Sequence, residues 1–219
     1  MADDVETPAE SDRGIERLIF FTDAVVAIAI TVLILPLVDI VTTDANKNIP
    51  VATVLADNYQ QLFAFLLSFV IIARLWIANH EILANTSKAT NVLMWADIAW
   101  ALTIVVLPLP TELTAVYSSS LLTVGIYIAN GFASTVLLAV MSGYLYRHPE
   151  LQRRGHPISG EQVWGISSTS GAFVLAFILA LVVPGLHYYA LFILFLTWPL
   201  DAIVKPRIRK REAARNKSP

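Results

Sequence analysis

The chain has 219 residues and no cysteine. Disulfides, thiolate metal sites and cysteine nucleophiles are therefore excluded. Charge is also scarce: 15% of residues are Asp, Glu, Lys or Arg, where a soluble domain carries about a quarter. The formal net charge of −2 gives no general electrostatic case for nucleic acid. Four histidines are present, none in an HxxxH or HxH spacing, which offers no zinc site and no metal cofactor. What remains is apolar: 56% hydrophobic residues and a mean hydropathy of +0.64. This is the composition of a membrane protein rather than of a water-soluble enzyme.

Six stretches approach or exceed the ~20 apolar residues a bilayer crossing needs: Leu18–Ile40, Leu62–Leu83, Val92–Leu113, Leu121–Tyr146, Val163–Val183 and Leu186–Val204. The expected fold is an all-α membrane protein of six transmembrane helices. The last two are joined by Val183-Pro184-Gly185 in a tight hairpin. The first is not a cleaved signal peptide, because it is too long and its leading segment is acidic. Residues 1–16 read as a disordered acidic N-terminus, 17–205 as the six-span domain and 206–219 as a basic tail. With the N-terminus inside, thirteen Lys and Arg residues fall on the cytoplasmic side and only Lys47 outside, with Arg74 within a span. That asymmetry places both termini in the cytoplasm. The tail suits either anionic lipid headgroups or simple topology anchoring.

Ionisable groups within a span are costly, ~2.5–3.5 kcal/mol at a helix centre, and need partners. Asp23, Arg74, His80 and Asp97 are such groups. At 1.5 Å per residue all four lie within ~14 Å of the cytoplasmic surface, so they can share one layer. The simplest reading is a polar clamp tying spans one, two and three. Asp23 would accept from His80, Asn79 or the indole of Trp76, and Arg74 would pair with Asp97. A proton relay is the other reading, but it needs acids continuing outward, and spans four and five carry none. Asn130 and the serines of spans four and five read as interhelical hydrogen bonds.

Span one also carries a helical stripe, Ala24, Ile28, Thr31 and Leu35, which Asp39 extends by one turn. Pro36 ends or kinks the helix. The stripe alone fits an ordinary packed helix as well as a functional face.

The string Arg17-x-x-x-Phe21-Thr22-Asp23 and the Ala-Val-Val-Ala-Ile-Ala-Ile-Thr that follows resemble the R-x-x-x-F-S-D first-helix motif of the lysosomal potassium channel family (transmembrane protein 175) and its prokaryotic homologues. Thr22 replaces the motif's serine and keeps the hydroxyl. Arg74, Trp76, Asn79 and His80 lie in a tract that resembles the family's Trp and His positions, and the span count agrees over about residues 14–205. The resemblance implies a homotetramer in a prokaryotic-type plasma membrane, with four first helices lining a pore for K⁺ and other monovalent cations. It implies no T-V-G-Y-G filter, and the chain has no such string. Carried over by motif position, Ile28 and Leu35 form hydrophobic constrictions and Thr31 a hydroxyl layer. Arg17, Phe21, Thr22 and Asp23 hold the pore helix against its neighbours. Asp39 and Asp44 are either cation-enriching carboxylates at the outer mouth or solvated loop residues. The competing reading is an ion- or proton-coupled secondary transporter using Asp23 and Asp97. Nothing points to an enzyme, since the histidines converge with acids in no defensible pattern.

Overall fold

The computed structural model describes residues 8–47, 49–117, 120–153 and 160–183, with scattered positions beyond. Within these residues the chain is helical: α1 (Pro8–Val32), α2 (Leu35–Asn46), α3 (Val51–Asp57), α4 (Tyr59–Ala84), α5 (Asn91–Val106), α6 (Pro108–Val116), α7 (Leu121–Arg147) and α8 (Gly160–Val182). Four segments among the described residues are long and apolar enough to cross a membrane: Arg13–Asp44, Tyr59–Ala84, Asn91–Val116 and Leu121–Arg147. The chain is a multi-pass membrane protein. α8 occupies the fifth expected stretch. The sixth stretch, its hairpin and the basic tail lie largely outside the described residues.

The acidic segment expected to lack structure is helical from Pro8 onward. Proline suits that first position, because its missing N–H has no intrahelical partner there anyway and its φ is already helical.

Two spans are broken by proline, each in a way that can be traced bond by bond. In the first span, Pro36 has no N–H to offer the Val32 carbonyl and its ring would strike that carbonyl. α1 accordingly ends at Val32, and a turn at residues 33–34 precedes α2, which starts at Leu35. The helix resumes at Leu35, with the proline in its first turn, and runs on past Ile40, so Pro36 opens a new helix rather than closing the span.

The third span breaks at Pro108. The Ile104 carbonyl, denied an N–H from Pro108, takes that of Leu107 instead, at 3.2 Å. The Thr103 carbonyl thereby loses its own i+4 donor. Asn130 of α7 supplies the replacement, its Nδ2 donating to the Thr103 oxygen at 2.9 Å. The interhelical bond expected of Asn130 is thus a cap on a carbonyl set free by a proline. Ser168 and Ser170 instead donate to carbonyls of their own helix. Ser134 and Ser142 find no hydrogen-bond partner among the described residues.

Beyond the break, α6 is fixed by hydroxyls. Thr111 donates to the Leu107 carbonyl at 2.8 Å. Its single proton is then used, so Ser68 of α4 donates to Thr111 at 2.8 Å, and Tyr127 of α7 donates to Ser68 at 2.9 Å.

The core lies where α1, α4, α5 and α7 meet, with Ile72, Trp100, Ile104, Val124 and Met141 fully buried. α8 closes on α7 through Phe173, also fully buried. A Cβ built on Gly131 would come within 2.3 Å of the Phe173 ring, so the glycine is a notch that admits the ring to the α7 backbone. Gly131→Ala is expected to destabilise the fold by about 1–3 kcal/mol through overpacking. The melting temperature in detergent should fall, and Phe173→Leu in the same chain should recover part of the loss.

At the end of the bundle where α4 and α7 finish, their following loops are joined. Ser87 N–H donates to the Leu151 carbonyl, and Arg153 N–H to the Asn85 carbonyl, both at 2.8 Å.

Candidate functional site

The periodicity of α1 sorts its residues onto two opposed faces. Ile15, Leu18, Thr22, Val26, Ala29 and Leu33, at spacings of three and four, are all buried. This stripe packs into the bundle against α4 and α5. A shift of two residues is 200° around a helix, so Arg17, Ala24, Ile28 and Thr31 lie almost diametrically opposite, with Phe21 one turn from Arg17 and Leu35 following beyond the break. Every one of these six is exposed, with Ile28 at 64%, Leu35 at 54% and Phe21 at 50%. The first span is the least covered of the four candidate spans.

The buried side of α1 meets a polar network built on two carboxylates. Asp97 of α5 is fully buried. Thr22 Oγ1 donates to its Oδ2 at 2.5 Å, and Asn79 Nδ2 donates to its Oδ1 at 2.7 Å. Asp23, half-buried on α1, accepts the Trp76 indole N–H at 2.6 Å. His80 Nδ1 stands 3.7 Å from the same Asp23 oxygen, beyond hydrogen-bond range. Its ring tilts against that of Trp76 with centroids 5.7 Å apart.

Local geometry explains the sharing. Trp76, Asn79 and His80 are spaced i, i+3, i+4 and so form one face of α4. Thr22 and Asp23 are adjacent and diverge by 100°, so one turns into the core and the other toward the rim. The network joins α1, α4 and α5 through hydrogen bonds to carboxyl oxygens, each worth about 0.5–1.5 kcal/mol net.

The partners differ from those the sequence suggests. Asp97 takes two neutral donors, Thr22 and Asn79, where charge matching points to Arg74. Asn79 goes to Asp97 and not to Asp23. Arg74 is half-buried on α4. Depth along a helix is readable from hydropathy, and it places all these residues in one layer. Rotation about the helix axis decides which of them touch, and that depends on how three helices settle together. The four motif residues also divide: Thr22 and Asp23 enter the network, while Arg17 and Phe21 face away from it.

Thr31 lies on the exposed stripe with its hydroxyl donating to the Ile28 carbonyl at 2.7 Å. The only hydrogen on that oxygen is therefore committed to the backbone, and its lone pairs remain as acceptors. Asp39 is exposed on α2 and lines a cleft of about 520 Å³ with Pro36, Ile40, Thr43, Asp44, Asn58 and Glu112. Asp44 pairs with Lys47 at 3.4 Å. Glu112, brought to this cleft by α6, is not signalled by the sequence, where it is a lone acid at the end of an apolar run. The break at Pro108 is the available clue. Among the described residues no group of three His, Cys, Asp or Glu side chains is placed to hold a metal ion.

The family model for the endosomal/lysosomal potassium channel TMEM175 matches residues 17–108. That interval begins at Arg17 and contains every residue of the polar network. A potassium channel of Streptomyces collinus is 26% identical over 140 residues, covering 64% of this chain and 66% of that protein. A potassium channel of Chamaesiphon minutus is 28% identical over 113 residues, 52% of this chain and 54% of that one. The human endosomal/lysosomal proton channel TMEM175 is 25% identical over 157 residues, 69% of this chain and 31% of the human protein. The aligned regions thus span between about a third and two thirds of these relatives. In fold, the chain superposes on the crystal structure of a lysosomal potassium-selective channel TMEM175 homolog from Chamaesiphon minutus. The TM-score is 0.64 at 19% identity, covering 86% of this chain and 98% of that one. Over residues 17–108 the chain is thus similar to the TMEM175 family model, and its helical fold is that of the Chamaesiphon structure.

Proposed function

We propose that the chain is one subunit of a homotetrameric, potassium-permeable cation channel of the plasma membrane, with six spans per subunit and both termini cytoplasmic. The first helices of the four subunits surround the pore. Ile28 and Leu35 form its constrictions, Thr31 is the hydroxyl layer between them, and Asp39 stands at the outer mouth. The observation that carries this reading is the uncovered face of α1. A face meeting only lipid has no use for a hydroxyl or for the small Ala24, whereas close approach of helices does. Arg17 and Phe21 on the same face then hold a neighbouring subunit, while Thr22, Asp23, Trp76, Asn79 and Asp97 hold the helix within its own.

The chemistry follows from what each layer offers an ion. An aliphatic ring has no oxygen to replace hydration water, so it blocks by dewetting when narrow and passes ions when it widens. Thr31 offers lone pairs outward because its proton is bound to the Ile28 carbonyl. Such a pore prefers cations to anions and separates K⁺ from Na⁺ only modestly. Resident cofactors are not required, and the permeant K⁺ is the cargo.

The potassium channels of Streptomyces and Chamaesiphon support the choice of ion. A coupled transporter is the weaker reading, because Asp97 is buried with both carboxylate oxygens already engaged. Purified full-length chain in planar bilayers is expected to show unitary cation currents, and native mass spectrometry to count four subunits. Saturable coupled flux, electrical silence or a lone subunit would each overturn the proposal.

A further inference from the structure

We infer that Pro36 divides the pore helix into two independently moving bodies, so that the Ile28 and Leu35 constrictions open separately. The inference rests on the pore reading above and adds how that pore moves.

Three observations carry it. First, the backbone is interrupted between the two residues. α1 stops at Val32, the N–H of Ile34 reaches the Thr31 carbonyl only at 3.4 Å, and Pro36 brings no N–H to Val32. Second, the two pieces are held differently. α1 is fixed by its buried stripe and by the bonds from Thr22 and to Asp23. No side chain described in α2 is buried. Third, α2 has room to move. Between it and the flanking Asn58 and Glu112 lies the cleft of about 520 Å³. Ile28 and Thr31 thus belong to the anchored body, and Leu35 is the first residue of the free one. A proline that serves as a hinge at this point is a positioning residue for the Leu35 constriction.

The natural absence of cysteine makes the test clean. Spin labels are placed on the full chain as Leu66→Cys with Ala27→Cys, and as Leu66→Cys with Val41→Cys. These positions are exposed on α4, α1 and α2 respectively. Labelled subunits are diluted with unlabelled ones, and pulsed electron resonance reads the distances. The α2 pair is expected to give a distribution roughly twice as broad as the α1 pair, as a hinge requires. Pro36→Ala restores the missing N–H and should narrow the α2 pair to the α1 width. It should also lower cation flux roughly tenfold, by locking Leu35 to α1. Pro36→Gly, which keeps a helix-weakening residue, should retain both breadth and flux. Equal widths in the two pairs, or an unchanged width in Pro36→Ala, would overturn the hinge even if the channel conducts. A silent parent protein with a broad α2 distribution would remove the pore reading and leave the hinge standing.

Discussion

Liposomes carrying Ile28→Asn or Ile28→Ala are expected to pass K⁺ at least about tenfold faster than those carrying the parent chain, equivalent to about 1.4 kcal/mol off the barrier. The two substitutions act by different routes. Alanine removes bulk from each of four side chains and widens the ring, so water re-enters. Asparagine adds an amide oxygen that can stand in for hydration water at the point where isoleucine offers none. The necessary control is an aliphatic residue of similar exposure that faces no other chain in this reading. Leu66 of α4 is 57% exposed beside 64% for Ile28, and Leu66→Ala should leave flux at the parent level. If both Ile28 variants conduct like the parent, the stripe on α1 does not line the ion path.

The second large effect is expected at Asp97. Its removal in Asp97→Ala leaves the Thr22 hydroxyl and the Asn79 amide without their acceptor in a fully enclosed site. An orphaned buried donor costs about 1–3 kcal/mol, and two of them approach the stability of a typical domain. The expected result is a sharp loss of monodisperse protein in detergent, or a large drop in melting temperature. Asp97→Asn should fall between, because its carbonyl still accepts one bond while its amino group now opposes a donor. The pair Thr22→Val with Asp97→Ala should lose less than the two single changes added together, since each removes the other's unpaired partner. Channels that survive these changes should keep the parent ion preference, because in the proposed pore the network lies on the side of α1 opposite Ile28 and Thr31. Equal yields and melting temperatures for Asp97→Ala and the parent would show that the network does not hold the bundle together. Asp23→Ala is expected to be milder, as Asp23 is only half-buried.

Much of this architecture was legible in the residues alone, and the parts that were not share a cause. The second and fourth apolar stretches, Leu62–Leu83 and Leu121–Tyr146, lie within three residues of the helices Tyr59–Ala84 and Leu121–Arg147. Hydropathy reads the length of chain that lipid will accept, and that is what sets these ends. It does not read backbone donors. The kink at Pro36 is read from the missing N–H, but Pro108 lies inside a long apolar run, and its break appears only when that missing N–H is followed to the carbonyl that lost it. Depth alone placed Asp23, Arg74, His80 and Asp97 in one layer. Its pairings were not legible, because a carboxylate within a span chooses among donors by azimuth, and charge matching alone favours Arg74. The exposed stripe on α1 was legible as a period. That it lies opposite the buried one, with Arg17 and Phe21 on it, required the packed bundle.

The bond from Asn130 to the Thr103 carbonyl carries an evolutionary corollary. The amide is useful there only while Pro108 withholds its N–H and shifts that of Leu107. A relative with an ordinary residue at position 108 would have an unbroken third span and a satisfied carbonyl at 103, and its partner helix would be free to carry an aliphatic side chain at 130. Across descendants of a common ancestor, positions 108 and 130 should therefore change together, although 22 residues separate them in the sequence.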